Sequence, residues 1–347
     1  MNKLKIAIIS NFEYHCGSSN TILGYLKACK KKGIDLRLSE LGNIDNVGKE
    51  KFPIADSSWN PDLAIIVFES YQFLSEAKIC KIISRIPRTR RIIIDPDAKY
   101  STPCHYKNDC NHKNNNEYMK WHDLYNCLSD TILQPSLVGS RTLNVHTFLY
   151  FGMDNMKQTT AKTRLYDLIY IGNNWFRWQD MSKLIRKTQT IREILPKIAI
   201  GGRYWNEENM NNFSYATFSN PKYLVNNNID LLGVIPFGKV ESTMSQGKIN
   251  PIFIRSILNH MNLVTPRMFE TFCADTVPIV PSYFKEAETL YGEKIKELIF
   301  SGNNTKEKLI DIVKNNNYYS NLTNEIKNEL FKKHSYEQRL KELLNFL

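Results

Sequence analysis

NLVTPRMFETFCADTVPIV, residues Asn262–Val280, is the stretch from which we interpret the rest of the chain. Thr265 suits the N-cap of a helix, because its hydroxyl can accept a free backbone N–H of the first turn. Pro266 suits the first helical position, where its missing N–H has no consequence. We therefore predict a helix that begins at Thr265–Pro266 and ends near Asp275. The segment TVPIV then predicts a short buried strand.

Opposite charges lie on one face of this helix. Arg267 and Glu270 are three residues apart, so their side chains are neighbours on a helix surface. A helix N-terminus attracts anions, so Thr265 and Arg267 could face the phosphates of a nucleoside diphosphate. Glu270 could then accept hydrogen bonds from ribose hydroxyls. The alternative is that Arg267 and Glu270 form a surface ion pair, which contributes little to stability.

Length and composition restrict the class of protein. A chain of 347 residues predicts one large or two medium domains. No apolar run reaches the roughly 18–20 residues that a membrane helix needs. The first apolar run is too short for a signal peptide, so we predict a cytoplasmic protein. Its cysteines number seven, and an odd count in so long a chain favours reduced thiols over a disulfide scaffold.

The chain is strongly basic. Its formal net charge of +11 favours an anionic partner, such as a nucleotide, a nucleic acid, an acidic glycan or a membrane surface. A biased genome that raises lysine and asparagine content is the alternative explanation. Charge alone therefore does not choose the partner.

Strand and helix patterns alternate along the first part of the chain. Strands alternating with helices predict a parallel sheet with helices on both faces. The predicted helices are Thr21–Lys32 and Phe73–Arg85. The predicted strands are KIAIIS (Lys5–Ser10), IDLRLSEL, DLAIIVF, RRIIID, DTILQPS and VHTFLYFG. We assign residues 1–155 to this first α/β domain.

The alternation restarts after a polar linker at residues 152–162. YDLIYIG, KIAIGG and IDLLGVIP predict strands, Met181–Leu195 predicts a helix, and Asn250–His260 also has helical character. We assign residues 163–320 to a second domain, and 321–347 to C-terminal helices that can pack back on the first. The predicted fold class is α/β: two Rossmann-like, doubly wound parallel sheets facing across a cleft. Such sheets bind ligands at the carboxyl ends of their strands.

Four segments of the second half, in order, resemble a known family. They are YDLIYIGNNWFRW, IAIGGRYWN, LLGVIPFGKV and KINPIFIRSILNHMNLVTPRMFETFCADTVPIV. Together they are similar to the GT-B glycosyltransferases, in particular to the CgeB-like and glycosyl transferase group 1-like proteins. The resemblance covers residues 165–300, and the first half fits as a generic acceptor-side domain.

The resemblance implies a binding site for a nucleotide-sugar donor. In such enzymes the residue that matches Glu270 holds the donor ribose, and the basic residue in the same turn, here Arg267, lies near the diphosphate. The loops after two strands add Gly172, Asn173 and Gly202 as donor-binding candidates. Arg177 and Arg203 are further phosphate candidates, and the alternative for each is a solvated surface arginine. We expect a UDP-sugar donor and no metal, because arginines and a helix dipole can stabilise the leaving diphosphate.

The sequence departs from the family pattern at two positions. Many retaining members carry a glutamate eight positions before the ribose-binding one, and that position is Asn262 here. Asp275 replaces the usual glycine after the helix. A retaining mechanism is therefore in doubt, and an inverting one needs a general base in the first half. His15 and Asp97 are the two catalytic candidates, and a retaining enzyme could use neither.

Other clusters carry weaker signals. Asp95-Pro96-Asp97 has the D-x-D spacing of a metal site, but proline makes it a turn. The cysteines and histidines between Cys104 and Cys127 lack the paired spacing of structural zinc sites, so we predict no metal. The aromatic residues Trp175, Phe176 and Trp178 could stack on a base or a sugar, or could pack at the interface between the two domains.

The sequence thus predicts a glycosyltransferase that moves a sugar from a nucleotide donor to an acceptor. The acceptor could be a glycan, a protein, a small molecule or a modified DNA base. One alternative is a hydroxymethyl-base glucosyltransferase acting on DNA. Others are a non-catalytic protein that binds nucleotide sugars or nucleic acid, and an epimerase with the same fold. The oligomeric state is left open.

Overall fold

The computed structural model describes residues 3–12, 17–42, 52–56, 58–68, 75–101, 116–139, 142–154, 163–206 and 216–346. The chain divides into two compact units. Unit 1 comprises Met1–Asp154, Met261–Pro266 and His334–Leu347, and unit 2 comprises Asn155–His260 and Arg267–Lys333. The chain therefore leaves unit 2 for six residues before Arg267 and returns to unit 1 at its C-terminal end.

Unit 1 contains a parallel sheet of seven strands in the order β3-β2-β1-β4-β5-β6-β7. The strands are β1 (Lys5–Ser10), β2 (Asp35–Ser39), β3 (Ile54–Ala55), β4 (Leu63–Val67), β5 (Arg91–Ile94), β6 (Thr131–Gln134) and β7 (Val145–Thr147). Its first helices are α1 (Gly17–Lys31), α2 (Glu76–Arg85) and α3 (Asn116–Leu128). The central strands are apolar along their whole length because helices cover both faces of such a sheet.

One hydrophobic core joins this sheet to the helices that follow β4 and β5. Ile9, Ile66 and Ile93, from three adjacent strands, are fully buried. Trp121 and Tyr125 of α3 belong to the same cluster. Residues 116–128 form a helix that the sequence patterns did not indicate, and this helix brings large aromatic side chains against β5.

Unit 2 contains a parallel sheet of six strands in the order β10-β9-β8-β11-β12-β13. The strands are β8 (Tyr166–Ile171), β9 (Ile198–Gly201), β10 (Ile229–Gly233), β11 (Gly247–Pro251), β12 (Val277–Pro281) and β13 (Ile299–Phe300). The helices are α4 (Trp178–Gln189), α5 (Pro221–Asn226), α6 (Val240–Met244), α7 (Ser256–His260), α8 (Arg267–Cys273), α9 (Ala287–Tyr291), α10 (Thr305–Lys314) and α11 (Asn316–His334). The prediction of two Rossmann-like parallel sheets is confirmed.

The helical interpretation of Asn250–His260 is wrong at its start. Asn250 and Pro251 end strand β11, which pairs with β8 on one side and with β12 on the other. Asparagine and proline disfavour strands on average, but packing can override that preference. Ile249, fully buried between Leu168 and Val277 in the register, supplies the packing here. Only Ser256–His260 is helical.

The chain after Pro281 does not form one continuous helical region. Gly292 has a φ of +84°, which ends α9, and a 3-10 turn and strand β13 follow. A positive φ favours glycine and breaks the helix at this point. Among the described residues, none of the helices has the length and hydropathy of a membrane span.

The C-terminal helix, α12 (Tyr336–Leu343), packs on α1 inside unit 1. The ring of Tyr336 lies edge-on to Tyr25 with centroids 5.4 Å apart, and its hydroxyl contacts the Thr21 hydroxyl at 3.4 Å. Gly24 permits this approach, since a Cβ atom there would lie 2.3 Å from the Tyr336 ring. The two helices therefore meet over a position that has no side chain.

We expect Gly24→Ala to lower the free energy of unfolding by about 1–3 kcal/mol, because overpacking outweighs the gain in helix propensity. Urea unfolding followed by circular dichroism measures the change. Gly302→Ala is the control, because a Cβ atom there meets nothing within 4 Å. Equal stability of the two variants would contradict the packing described for α1 and α12.

Candidate functional site

Two glycine-containing loops approach each other at the carboxyl ends of β8 and β9. Gly172 donates its N–H to the Gly201 carbonyl at 2.8 Å, and Gly202 donates to the Gly233 carbonyl at 2.7 Å. Gly202 has a φ of +131°, and a Cβ atom there would lie 2.3 Å from the Gly172 carbonyl oxygen. Only glycine fits both the conformation and the space. The structure thus brings the predicted residues Gly172 and Gly202 together.

Two asparagines fasten the same loops. The Asn173 side-chain oxygen accepts the Arg203 N–H at 2.9 Å, and the Asn174 N–H donates to the Arg203 carbonyl at 3.0 Å. The Asn174 amide also donates to the Phe218 carbonyl at 2.7 Å. The predicted residues Asn173 and Arg203 are therefore adjacent, and the asparagine side chain orients the backbone from which Arg203 projects.

Arg177 lies within electrostatic reach of two further arginines, Arg255 and Arg267, which come from different segments. Arg177, the residue before α4, donates from Nη1 to the Asn173 carbonyl at 2.7 Å. Its buried Nε has no hydrogen-bond partner among the described residues. Burial lowers the pKa of Arg177, Tyr170 raises it, and the charges of Arg255 and Arg267 lower it further. We call Arg177, Arg255 and Arg267 the arginine cluster.

Arg255 is a member of this cluster that the sequence reasoning missed. It follows β11 in the segment PIFIRS, where it is the single charged residue of an otherwise apolar run. The preceding residue, Ile254, donates its N–H to the Tyr283 hydroxyl at 3.4 Å, and that hydroxyl donates to Asp180 at 2.8 Å. Burial raises the pKa of Tyr283, so this phenol stays protonated and can donate to Asp180. These bonds position the backbone next to Arg255.

Arg267 and Glu270 form the predicted pair, 3.4 Å apart between Nη1 and Oε2. Their side chains are only 16% and 17% exposed, so the pair is not a freely solvated surface contact. Arg267 Nη1 also lies 3.7 Å from the Met244 sulfur. One arginine of the cluster therefore has a carboxylate beside it.

The start of the helix differs from the prediction. α8 begins at Arg267, so Thr265 is not its N-cap, and it ends at Cys273 rather than near Asp275. The reason lies just upstream: Leu263 bridges to Ser136, and the Val264 N–H donates to the Pro135 carbonyl at 2.7 Å. This pairing, within unit 1, holds residues 263 and 264 against residues 135 and 136, and the helix begins only after Pro266. With seven residues in α8, the arginines rather than the helix end carry the positive charge.

The aromatic segment packs within unit 2. The Trp175 ring lies edge-on to Tyr204 at 5.5 Å, and Trp178 lies edge-on to Phe218 at 5.8 Å. A shallow cavity of about 300 Å³ borders Trp178, and none of the predicted phosphate-binding residues lines it. Its lining residues are Trp178, Ser182, Arg186, Asn220 and Tyr223. Trp175 and Trp178 thus contact other aromatic side chains of unit 2 and remain partly exposed.

In unit 1 the Asp95-Pro96-Asp97 segment forms the expected turn after β5. Asp95 is fully buried and accepts the N–H groups of Lys99 at 3.0 Å and Tyr100 at 2.9 Å, and the Gln134 amide at 3.0 Å. Burial raises the pKa of Asp95, and these three donors oppose that shift. Asp97 is partly exposed and lies 3.9 Å from the Lys99 ammonium. The Asp95 carboxylate thus stabilises the turn through hydrogen bonds, whereas the Asp97 carboxylate is partly exposed to solvent.

The other catalytic candidate, His15, lies outside the described residues, as do Cys104, His105, Cys110 and His112. The ring of His122 stacks on Tyr100 with centroids 4.8 Å apart, and Cys127 is exposed. Among the residues that the structure describes, no three histidine, cysteine or carboxylate side chains are grouped as metal ligands.

Comparison with known proteins identifies the fold. No protein-family model matches this sequence, and no curated protein does. An α-glucosyltransferase in complex with UDP and a 13-mer DNA containing an HMU base is similar over 99% of both chains, with a TM-score of 0.67 and 13% identity. The structure is that of a GT-B protein.

Two other GT-B glycosyltransferases are similar at lower scores. The Thermobaculum terrenum O-GlcNAc transferase matches 99% of this chain and 66% of its own, with a TM-score of 0.57 and 8% identity. The pneumococcal O-GlcNAc transferase GtfA, in complex with UDP and GlcNAc, matches 83% and 58%, with a TM-score of 0.52 and 10% identity. The predicted GT-B resemblance is confirmed as a fold, and the narrower CgeB-like likeness stays a prediction.

We expect Gly202→Ala to lower the urea midpoint of unit 2 more than Gly238→Ala does. Both positions have a positive φ, +131° and +78°, so both variants are strained by about 1–3 kcal/mol. Only Gly202→Ala also drives a Cβ atom into the Gly172 carbonyl, since nothing lies within 4 Å at Gly238. Tryptophan fluorescence during unfolding measures both midpoints. Equal midpoints would show that the two loops do not approach as described.

Proposed function

We propose that this protein is a glycosyltransferase that takes its sugar from a UDP-sugar. The observation that supports it most is the arginine cluster, Arg177, Arg255 and Arg267, at the carboxyl ends of the unit 2 strands. Guanidinium groups placed together repel one another, and an anion bound between them relieves that repulsion. Planar guanidinium groups also match phosphate oxygens with paired hydrogen bonds. A diphosphate provides both the charge and the oxygens.

Each predicted donor residue has a role in this proposal. The arginine cluster neutralises the charge that develops on the leaving UDP, so the reaction needs no metal. Glu270 accepts hydrogen bonds from the ribose hydroxyls. Gly172 and Gly202 let the two loops that form the donor site approach each other closely. Asn173 and Arg203 complete the loop edge, and Thr265 remains a predicted contact from the segment before α8.

Asp97 is the general base of the proposed reaction. A base must be ionised and accessible to the acceptor hydroxyl, and a partly exposed carboxylate at the end of a parallel strand meets both needs. Asn262 stands where many retaining members have a glutamate, which favours an inverting reaction with a base. His15 remains the rival prediction for the same role.

A modified base in DNA is the acceptor that we favour. The α-glucosyltransferase bound to DNA with an HMU base is similar along 99% of its length, whereas GtfA is similar along only 58%. The net charge of +11 also suits a polyanion. A glycan, protein or small-molecule acceptor is the alternative.

Transfer assays with a panel of nucleotide sugars separate these functions. We expect sugar transfer from a UDP-sugar to duplex DNA containing hydroxymethylated pyrimidines, with a rate that falls steeply as salt rises. Unmodified duplex of the same sequence is the control. Transfer to a glycan or peptide but not to DNA would overturn the acceptor assignment. UDP binding without turnover would indicate a binding protein, and isomerised free donor an epimerase.

We expect Glu270→Ala to weaken UDP binding by about 1–3 kcal/mol, the scale of lost hydrogen bonds to a charged group. Titration calorimetry with UDP measures the affinity. Glu293→Ala is the matched control, because Glu293 is a largely exposed glutamate in the same unit. Wild-type affinity in Glu270→Ala would place the ribose away from α8.

A further inference from the structure

A lysine is buried beside the proposed base in unit 1. Lys99 is 1% exposed, although lysines are almost never fully buried unless they are paired. Its Nζ lies 3.9 Å from the Asp97 carboxylate and 4.7 Å from the centroid of the Trp121 ring. A carboxylate and an indole face both stabilise an ammonium group. Both lie beside Lys99, so its surroundings suit a charged side chain.

The surroundings of this ammonium are fixed by the backbone and by packing. Asp95 accepts the N–H of Lys99 at 3.0 Å, just after Ala98, whose φ of 55° turns the chain. Trp121 is itself buried and packs edge-on against Tyr125, with ring centroids 5.5 Å apart. The backbone of Lys99 is thus held by Asp95, and its ammonium group lies against the buried Trp121 ring.

Burial differs sharply across the ion pair. The Asp97 side chain is 29% exposed, whereas that of Lys99 is 1% exposed. In a surface pair two flexible side chains must be ordered, so the interaction contributes little. Here the ammonium is already ordered, so it can restrict the carboxylate without losing freedom itself. The Asp97 carboxylate is therefore next to the buried Lys99 ammonium and is also partly exposed to solvent.

We propose that Lys99 is a positioning residue that holds the Asp97 carboxylate for proton abstraction. The proposal rests on the transferase function and on Asp97 as its base. In the step, the acceptor O–H bond breaks and the proton passes to Asp97. The acceptor oxygen forms a bond to the sugar anomeric carbon, and the bond from that carbon to UDP breaks with its electron pair leaving on UDP. Lys99 stays an ammonium throughout and transfers no proton.

A double-mutant cycle in the full chain tests this role. The variants are Lys99→Met, Asp97→Asn and the double variant, with Lys99→Arg as the conservative substitution. General-base catalysis contributes about 100-fold to 10,000-fold, so loss of positioning is expected to lower kcat at least about tenfold. In Lys99→Met we expect this loss in kcat, with the Kd for UDP within about twofold of wild type. Lys99→Arg should recover part of kcat.

The decisive comparison is between Asp97→Asn and the double variant. If Lys99 acts through Asp97, adding Lys99→Met to Asp97→Asn lowers kcat no further. If Lys99 has a purely structural role, the losses in kcat from the two single substitutions should instead multiply in the double variant. That result, with an active wild type, would overturn the positioning role of Lys99 but not the proposed function. A wild type that binds UDP but transfers no sugar contradicts the proposed function, and this proposal with it.

Discussion

The burial of Arg177 beside the positive charges of Arg255 and Arg267 is the constraint on which the unit 2 site depends. Burial lowers the pKa of Arg177, and its two neighbours add to that effect, so the cluster is a local cost to stability. Arginine stays charged under ordinary conditions, so the cost cannot be removed by losing a proton. An anion with several oxygens can offset it. A site that is unfavourable when empty and relieved by phosphate suits a protein that must bind a diphosphate and stabilise it as a leaving group.

The loops hold these charges in place through close backbone packing and hydrogen bonds. Gly202 approaches Gly172 closely enough to exclude any other residue, and Asn174 is bonded to the backbone of two further segments. The Tyr283–Asp180 bond holds the segment before Arg255. Supports of this kind fix charged groups before the ligand arrives, which is the arrangement that electrostatic catalysis requires.

Much of the fold could be predicted, since strands such as β1, β4 and β8 are apolar runs in a repeating order. Strand β11 could not, because KINP lacks a strand pattern and forms only between β8 and β12. The start of α8 depends on pairing between Val264 and Pro135, residues far apart in sequence. Arg255 and Lys99 were missed for the same reason. The burial and the neighbours of a charged side chain depend on tertiary structure, and sequence periodicity does not predict them.

A crystal structure of the protein with UDP would show whether the arginine cluster binds the diphosphate. We expect phosphate oxygens within about 2.7–3.2 Å of guanidinium nitrogens of Arg177, Arg255 and Arg267, with the ribose hydroxyls on Glu270. If UDP bound elsewhere, with the three arginines out of contact with its phosphates, the arginine cluster would not be the donor site.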